Sequence, residues 1–192
     1  YVGGGSELAY WLQLGEAFSS FDIPRPMLKL RSSLLLFSDK QHRKLMSLGI
    51  SPADLFLPSN ELINRRVRQI SNIEIDLSFL KTQLGDQFGH LYDLAKQTDA
   101  SFLGAVKAQE KKQTKGLENL EKRLLKAQRK KLVNHIKRIT ELQQQLFPLG
   151  DLQERRINFA AFILQYGDDF IPTLIKHIDP FSKDFMCLCF SK

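Results

Sequence analysis

Along most of this chain the apolar residues fall at helical intervals, and the longest such stretch runs from Asn60 to Phe147 without a proline. Leu125, Leu132, Ile139 and Leu146 recur at every seventh position, while Leu117, Leu120 and Leu124 keep three-four spacing in a neighbouring register. Sustained seven-residue recurrence predicts a coiled-coil seam, and the change of register predicts a stutter or a second packed face. Glu74 to Lys96 carries Leu77, Leu80, Leu84, Phe88 and Leu91, enough apolar surface to lie antiparallel against the longer helix. The turn between them is expected at Gln97-Thr98-Asp99-Ala100, with Thr98 or Asp99 as cap of the second helix. A single helix from Ser101 to Leu146 would span roughly 70 Å at 1.5 Å per residue. Such an arm needs a partner chain, or much of the first helix, to cover its apolar stripe.

On either side of this stretch the pattern changes. Glu7 to Phe18 reads as a helix loosened at Gly15. Pro24 and Pro26 break it and set up the short β-like run Met27 to Leu30. Arg31-Ser32-Ser33 punctuates that run and Leu34 to Phe37 resumes it, an α/β alternation that fits the edge of a parallel sheet. Asp39 is expected to cap a short helix closed by Gly49, and Ser51-Pro52 to start another. Beyond Phe147-Pro148, the segment from Leu149 to Ile178 is dense in aromatic and branched residues and belongs against a core, with Asp168 or Asp169 capping its last helix. Phe185 to Phe190 reads as a terminal strand that rejoins the first block.

Composition sharpens this picture in two places. The 192 residues, 43% hydrophobic and 26% charged, suffice for one domain or a domain with an appendage. The net charge of +7 is concentrated between Lys107 and Arg138, where twelve Lys or Arg face only Glu110, Glu118 and Glu121. A basic helix can follow a phosphate backbone. This one lacks the interleaved aromatics of a single-strand binder, so the charge reads as a solvated face, and nucleic acid is not the expected partner. No apolar run is long enough to cross a bilayer. Cys187 and Cys189, one residue apart, suit neither an easy disulfide nor a four-ligand metal site, and imply reduced thiols in a cytoplasmic protein. His42, His90, His135 and His177 are scattered without metal spacing.

The candidate chemistry lies at the start. Tyr1-Val2 runs into Gly3-Gly4-Gly5 and then into an amphipathic helix pattern, with Ser6 as expected cap and Glu7 in the first turn. Glycines let a backbone pass close to a ligand, and a helix start presents free N–H groups to an anion or a zwitterion. A tight strand-to-helix turn with no ligand is the other reading of the same residues. Tyr1-Val2 also looks like the last step of a strand, which leads us to expect the C-terminal part of a longer protein.

Several motifs then coincide in order. Gly3-Gly4-Gly5-Ser6-Glu7-Leu8-Ala9-Tyr10-Trp11 resembles the Gly-Gly-Pro-Gly-Glu-Ile-Ala-Tyr-Trp motif of the cysteine-adding enzymes (cysteine ligases) of bacillithiol biosynthesis. Arg31-Ser32-Ser33 resembles their Arg-Asn-Ser, Asp99-Ala100-Ser101-Phe102-Leu103 their Asp-Pro-Thr-Leu, and Leu120 to Leu124 their Leu-Glu-Lys-Lys-Leu. Leu146-Phe147-Pro148, Leu152-Gln153-Glu154-Arg155, Tyr166-Gly167 and Phe170-Ile171 are similar to the family's closing block. The departures are Gly5 for proline, Ser6 for glycine and Ser32 for asparagine, which keep a tight turn but shorten one polar side chain.

The resemblance implies a mainly α chain: the C-terminal piece of a Rossmann-like α/β core (residues 1–58), a long antiparallel helical coiled-coil arm (59–147) and a return segment on the core (148–192). It implies addition of cysteine to glucosaminyl malate, with ATP, by the intact parent protein and not by this segment alone, and a homodimer formed through the coiled coil. Substrate-binding candidates are Gly3, Gly4, Gly5, Ser6, Glu7, Tyr10 and Arg31. Here Glu7 would take an amine, Tyr10 and Trp11 would wall the pocket, and Arg31 would balance an acyl or phosphate charge or sit in an internal ion pair. Trp11 itself fits the core better, and Glu154-Arg155 fits an ion pair at the junction of arm and core. Dimer-interface candidates are Leu117, Leu120, Leu124, Leu125, Leu132 and Ile139. No metal site and no catalytic residue is assigned. The alternative function is a non-catalytic coiled-coil interaction module, which leaves the glycine turn idle.

Overall fold

The computed structural model describes residues 1–190, apart from the side chain of Ala100. It is mainly helical and forms two compact units, Tyr1–Pro52 together with Leu142 onward, and Ala53–Glu141.

In the first unit, β1 (Val2–Gly3) leads into α1 (Gly5–Gln13) and α2 (Gly15–Ser20). The expected single helix is two, because Leu14 leaves helical geometry at φ −78°, ψ 5°. β2 (Lys29–Leu30) pairs parallel with β1, Val2 opposite Lys29 and Gly3 opposite Leu30. β3 (Leu34–Ser38) pairs parallel with β4 (Met186–Phe190) at the far end of the chain, so the expected terminal strand does rejoin the first block. These are two separate two-stranded pairs among the described residues, and no continuous sheet joins them. One physical reason is visible at β3. Its edge away from β4 is filled by side chains of α8 (Gln153–Arg156), since buried Gln153 accepts from the Leu36 N–H (3.0 Å) and donates to the Leu36 carbonyl (3.1 Å). A side-chain amide thus satisfies a peptide unit that a neighbouring strand would otherwise use.

α3 (Asp39–Leu48) follows β3 directly. Its cap is Ser38 and not Asp39: the Ser38 hydroxyl accepts from the Gln41 N–H, and the Gln41 side chain reaches back to the Ser38 N–H at 3.0 Å. Serine with glutamine three residues on makes the reciprocal capping box, which decides between two adjacent cap-forming residues. Gly49 closes the helix in the left-handed region (φ 62°), as expected of a C-terminal glycine. One buried cluster of this unit is Leu36, Phe170 and Phe190, with Phe162 and Tyr166 packed on it. Its aromatic rings lie 4.8–6.2 Å apart. α9 (Phe159–Tyr166) and α10 (Phe170–His177) supply most of these rings. Asp169 stands at the α10 cap position without a side-chain bond to the helix.

The second unit starts with a 3-10 turn at Ala53–Phe56, where Ser51-Pro52 had predicted a helix start. α4 (Ser59–Ile70), α5 (Ser78–Ala95) and α6 (Ala100–Lys131) follow, and α7 (Val133–Leu146) begins in this unit and ends in the first. α5 and α6 run antiparallel: Tyr92 donates to Glu110 at 2.5 Å near the turn, and Lys81 meets Glu121 at 3.0 Å a few turns further on. Asp99 caps α6 by accepting from the Ser101 and Phe102 N–H groups at 2.8 and 3.0 Å. Phe88, Ala95 and Val106 form the buried seam between the two helices. The expected unbroken helix to Leu146 changes dihedrals at Leu132 (φ −98°, ψ 21°). The ladder nonetheless continues across it, through Leu132 N–H to Gln128 O and Ile136 N–H to Leu132 O, both 3.0 Å.

Candidate functional site

The glycine turn is held from three sides. Strand pairing fixes its start, because the Arg31 N–H donates to the Gly3 carbonyl at 3.0 Å. Glu7 fixes its middle: one carboxylate oxygen, Oε2, accepts from the Gly4 N–H (2.9 Å) and from the Tyr1 hydroxyl (3.3 Å). Gly4 is the N-cap of α1, so Glu7 stands three residues into the helix and makes the side-chain half of a capping box. Glycine has no side chain to make the other half.

Gly3 is the glycine that space requires. A Cβ there would lie 2.6 Å from the Tyr1 ring and 2.7 Å from Glu7 Oε2. At Gly4 a Cβ would meet only the Arg31 guanidinium, at 3.4 Å or more, and at Gly5 it would meet nothing.

This geometry places the sequence candidates individually. Ser6 is the second helical residue and exposed, so it does not cap α1. Glu7 braces the turn through Oε2. Its pKa lies below the usual glutamate value, chiefly because the Gly4 N–H bonds the charged form, with Tyr1, Arg31 and Arg155 adding to this against a partial desolvation penalty. Trp11 is half-buried and packs against the rings of Tyr1 (4.8 Å) and Phe18 (5.9 Å), and does not enter the core as its pattern had suggested, since α1 has no buried residue. Tyr10, by contrast, is 62% exposed.

Arg31 lies over Gly4, exposed, and forms no ion pair among the described residues, so the internal-pair reading is set aside. Glu154 and Arg155 do not form their expected pair. Glu154 accepts from the Ser33 hydroxyl (3.2 Å) and the Leu34 N–H (3.4 Å). The Arg155 charge is instead felt at Glu7. Arg155 is therefore the residue that sequence reasoning placed wrongly, although it stands inside a motif already singled out. Gln153, the buried clamp on Leu36, had no periodic signal at all.

The N–H groups of Gly5, Ser6 and Glu7 also have no hydrogen-bond partner among the described residues. Gathered at one end of α1 are thus three free N–H donors, the Arg31 guanidinium and one carboxylate already in use. Such an arrangement favours an anionic group. No cluster of three or more metal-ligating side chains occurs among the described residues. Burial pushes the Cys187 thiol up in pKa, and burial with the Asp39 carboxylate pushes up that of Cys189, so neither is an activated nucleophile.

The dimer-interface candidates divide by exposure. Leu120 is 53% exposed, Leu117, Leu124, Leu125 and Leu132 are half-buried, and Ile139 is 1% exposed and so already spent within the chain. Leu80, Leu84, Leu117 and Leu120 line an open groove of ≈ 420 Å³ on the α5–α6 hairpin. No helix among the described residues is long and apolar enough to cross a membrane.

The fold and site together define a helical-hairpin domain attached to short parallel strands, with an anion-favouring turn at a helix start. Residues 34–190 match the family model described as "Bacillithiol biosynthesis BshC, C-terminal coiled-coil domain", and the chain belongs to that family. It is 53% identical over 192 residues to a protein of Christiangramia forsetii named "Putative cysteine ligase BshC", covering 100% of this chain and 36% of that protein. Proteins of the same name from Flavobacterium johnsoniae (49% over 185 residues, 96% and 35% covered) and Bacillus mycoides (30% over 181 residues, 92% and 33% covered) also match. The chain spans about a third of the length of these relatives.

Proposed function

We propose that this chain is the C-terminal part of a cytoplasmic ligase that joins cysteine to glucosaminyl malate in bacillithiol biosynthesis, with the glycine turn forming one wall of the substrate site. The observation that carries this reading is the grouping of free N–H donors at Gly5, Ser6 and Glu7 with the unpaired Arg31 guanidinium above Gly4. Both substrates carry carboxylates, and a guanidinium beside free peptide N–H groups binds a carboxylate with charge-assisted hydrogen bonds. Within the bond-forming step these groups orient substrate and offset negative charge, while Glu7 keeps the turn in shape.

ATP is the energy source we propose for activating the carboxyl that becomes the amide, and the same N–H and guanidinium groups fit a phosphate as well as a carboxylate. The short strand pairs are proposed as the edge of a Rossmann-like core. The α5–α6 hairpin is proposed as an antiparallel coiled-coil arm that pairs two subunits through Leu120 and the groove beside it.

Three measurements on the intact protein test this. Incubation with cysteine, glucosaminyl malate and ATP should give the thiol conjugate by mass spectrometry, and Arg31→Gln should raise the KM for a carboxylate substrate about tenfold. Absence of product under all donor conditions sinks the ligase reading. Light scattering of Leu120→Lys should show a monomer where the parent is a dimer, and an unchanged mass rejects the arm as the interface.

A further inference from the structure

We propose that Glu154 is a positioning residue for Arg31: by holding the link between β2 and β3, it keeps the Arg31 guanidinium over Gly4. The proposal rests on reading the glycine turn as a substrate wall, and it adds the residue that aims the cation of that wall.

Arg31 has little to hold its side chain. The guanidinium is exposed and donates to no group among the described residues, so its place follows from its backbone. That place is close. A Cβ built on Gly4 would lie 3.4 Å from Nη2, 3.5 Å from Cζ and 3.7 Å from Nε, so the guanidinium covers Gly4. A small turn of the backbone swings the end of so long a side chain away, and misplacing a binding group by about 1 Å is enough to weaken its action.

The backbone on either side of Arg31 is tied to different parts of the fold. Upstream, the Lys29 N–H donates to the Tyr1 carbonyl at 2.8 Å and the Arg31 N–H to the Gly3 carbonyl at 3.0 Å, so Arg31 starts in register with the glycine turn. Downstream, the Ser33 carbonyl accepts from the Met186 N–H at 3.0 Å, and the Ser33 hydroxyl donates to Glu154 Oε1 at 3.2 Å. The other Glu154 oxygen accepts from the Leu34 N–H at 3.4 Å. Ser32 alone separates the two sets of ties.

Glu154 is itself exposed, and it acts as a fixed post because its neighbour is buried. Gln153 is 5% exposed and bonds the N–H and the carbonyl of Leu36, at 3.0 and 3.1 Å. Shifting α8 along β3 would leave those buried groups unpaired, which costs more than losing an exposed bond. Gln153 therefore fixes α8, and Glu154 carries that placement to the link. The two bonds of Glu154 need an acceptor at Leu34 and any hydrogen-bonding group at Ser33. A glutamine keeps both, since its NH2 can donate to a serine hydroxyl that accepts as well as donates. An alanine keeps neither.

Steady-state kinetics of the intact protein with cysteine, glucosaminyl malate and ATP test this in Glu154→Ala, Glu154→Gln, Arg31→Gln and the Glu154→Ala, Arg31→Gln double variant. Glu154→Ala should raise the KM for a carboxylate substrate about fivefold with kcat and melting temperature little changed, and Glu154→Gln should stay near the parent. Ser33→Ala, which removes one bond and leaves α8 intact, should raise the KM by a smaller factor. In the Arg31→Gln background Glu154→Ala should add nothing, because the residue it positions is gone. Additive effects overturn the proposal, as does an unchanged KM in Glu154→Ala. Hydrogen exchange read by mass spectrometry needs no turnover and separates this proposal from the one beneath it. Peptides covering residues 29–36 should exchange faster in Glu154→Ala than in the parent or Glu154→Gln. If they do while Arg31→Gln leaves the KM unchanged, or while no conjugate forms at all, the substrate-wall reading fails and Glu154 still holds the link. If Arg31→Gln raises the KM and the peptides exchange as in the parent, the wall reading stands and Glu154 positions nothing.

Discussion

At the scale of single residues, the three glycines of the turn are not equivalent. Only Gly3 faces atoms closer than a Cβ tolerates, the Tyr1 ring and Glu7 Oε2, and moving these side-chain ends aside would break the hydrogen bond between them. Gly3→Ala should cost about 1–3 kcal/mol, the usual range for overpacking. Gly5→Ala, with open space around it, should stay within about 0.5 kcal/mol of the parent. Urea unfolding of the two variants checks this, and equal midpoints would show that the turn tolerates a side chain anywhere. Glu7 adds a pH dependence of known sign. Its folded-state pKa is depressed, first by the Gly4 N–H, so its stabilisation is present above the ordinary glutamate range and is lost as pH falls through the folded value. The Gly4 amide proton should therefore shift in acid by NMR in the parent but not in Glu7→Gln. A parent titration curve that is flat at Gly4 would remove the brace. The three-glycine motif and Arg31 were legible in the sequence because they are local. The brace from Tyr1 and the placement of Arg155 were not, since both depend on what the folded chain brings beside them.

At the scale of elements, the signals that read true were those carried by a few neighbouring residues. Asp99 caps α6 and Gly49 closes α3 because each acts on backbone groups within one turn. Ser38 displaced Asp39 as a cap for the same local reason, a glutamine three residues on. The break after α1 falls beside Gly15, where the sequence read as loosened, whereas the one at Leu132 has neither proline nor glycine, and a pattern of apolar spacing passes over it. Association between helices is carried in part by Glu121, which binds Arg68 of α4 at 2.8 Å and Lys81 of α5 at 3.0 Å from its place on α6. Those bonds, Lys81 first and Arg68 second, hold its pKa below the usual glutamate value. The stabilisation is thus present above the ordinary glutamate range and falls away as pH drops through the depressed value. Partly exposed pairs are worth little singly. Glu121→Gln should cost about 1 kcal/mol at low salt and less at high salt, where screening shortens the reach of each charge. A loss that does not change with ionic strength would mean that Glu121 matters through packing.

At the scale of the whole molecule, large apolar side chains stay exposed in both units. Tyr10, Leu12, Phe21, Ile23 and Met27 all lie open within the first block, with Phe21 76% and Met27 91% exposed. α1 and α2 have no buried residue. Single apolar residues are ordinary on a surface, and a covered face here requires that these five join into one contiguous patch. The occupant we favour is the rest of the same polypeptide, since the chain spans about a third of its relatives' length and its strands pair only two by two. Parallel strands with helices on their faces are normally buried on both sides. The 192-residue chain alone should therefore enhance the fluorescence of an apolar dye, and Phe21→Ser with Met27→Ser should reduce that signal without lowering helix content by circular dichroism. The intact protein should bind far less dye per chain. Equal dye binding by the two would place the open face outside the covered core, and the glycine turn with it would then lie on a surface other than a substrate wall.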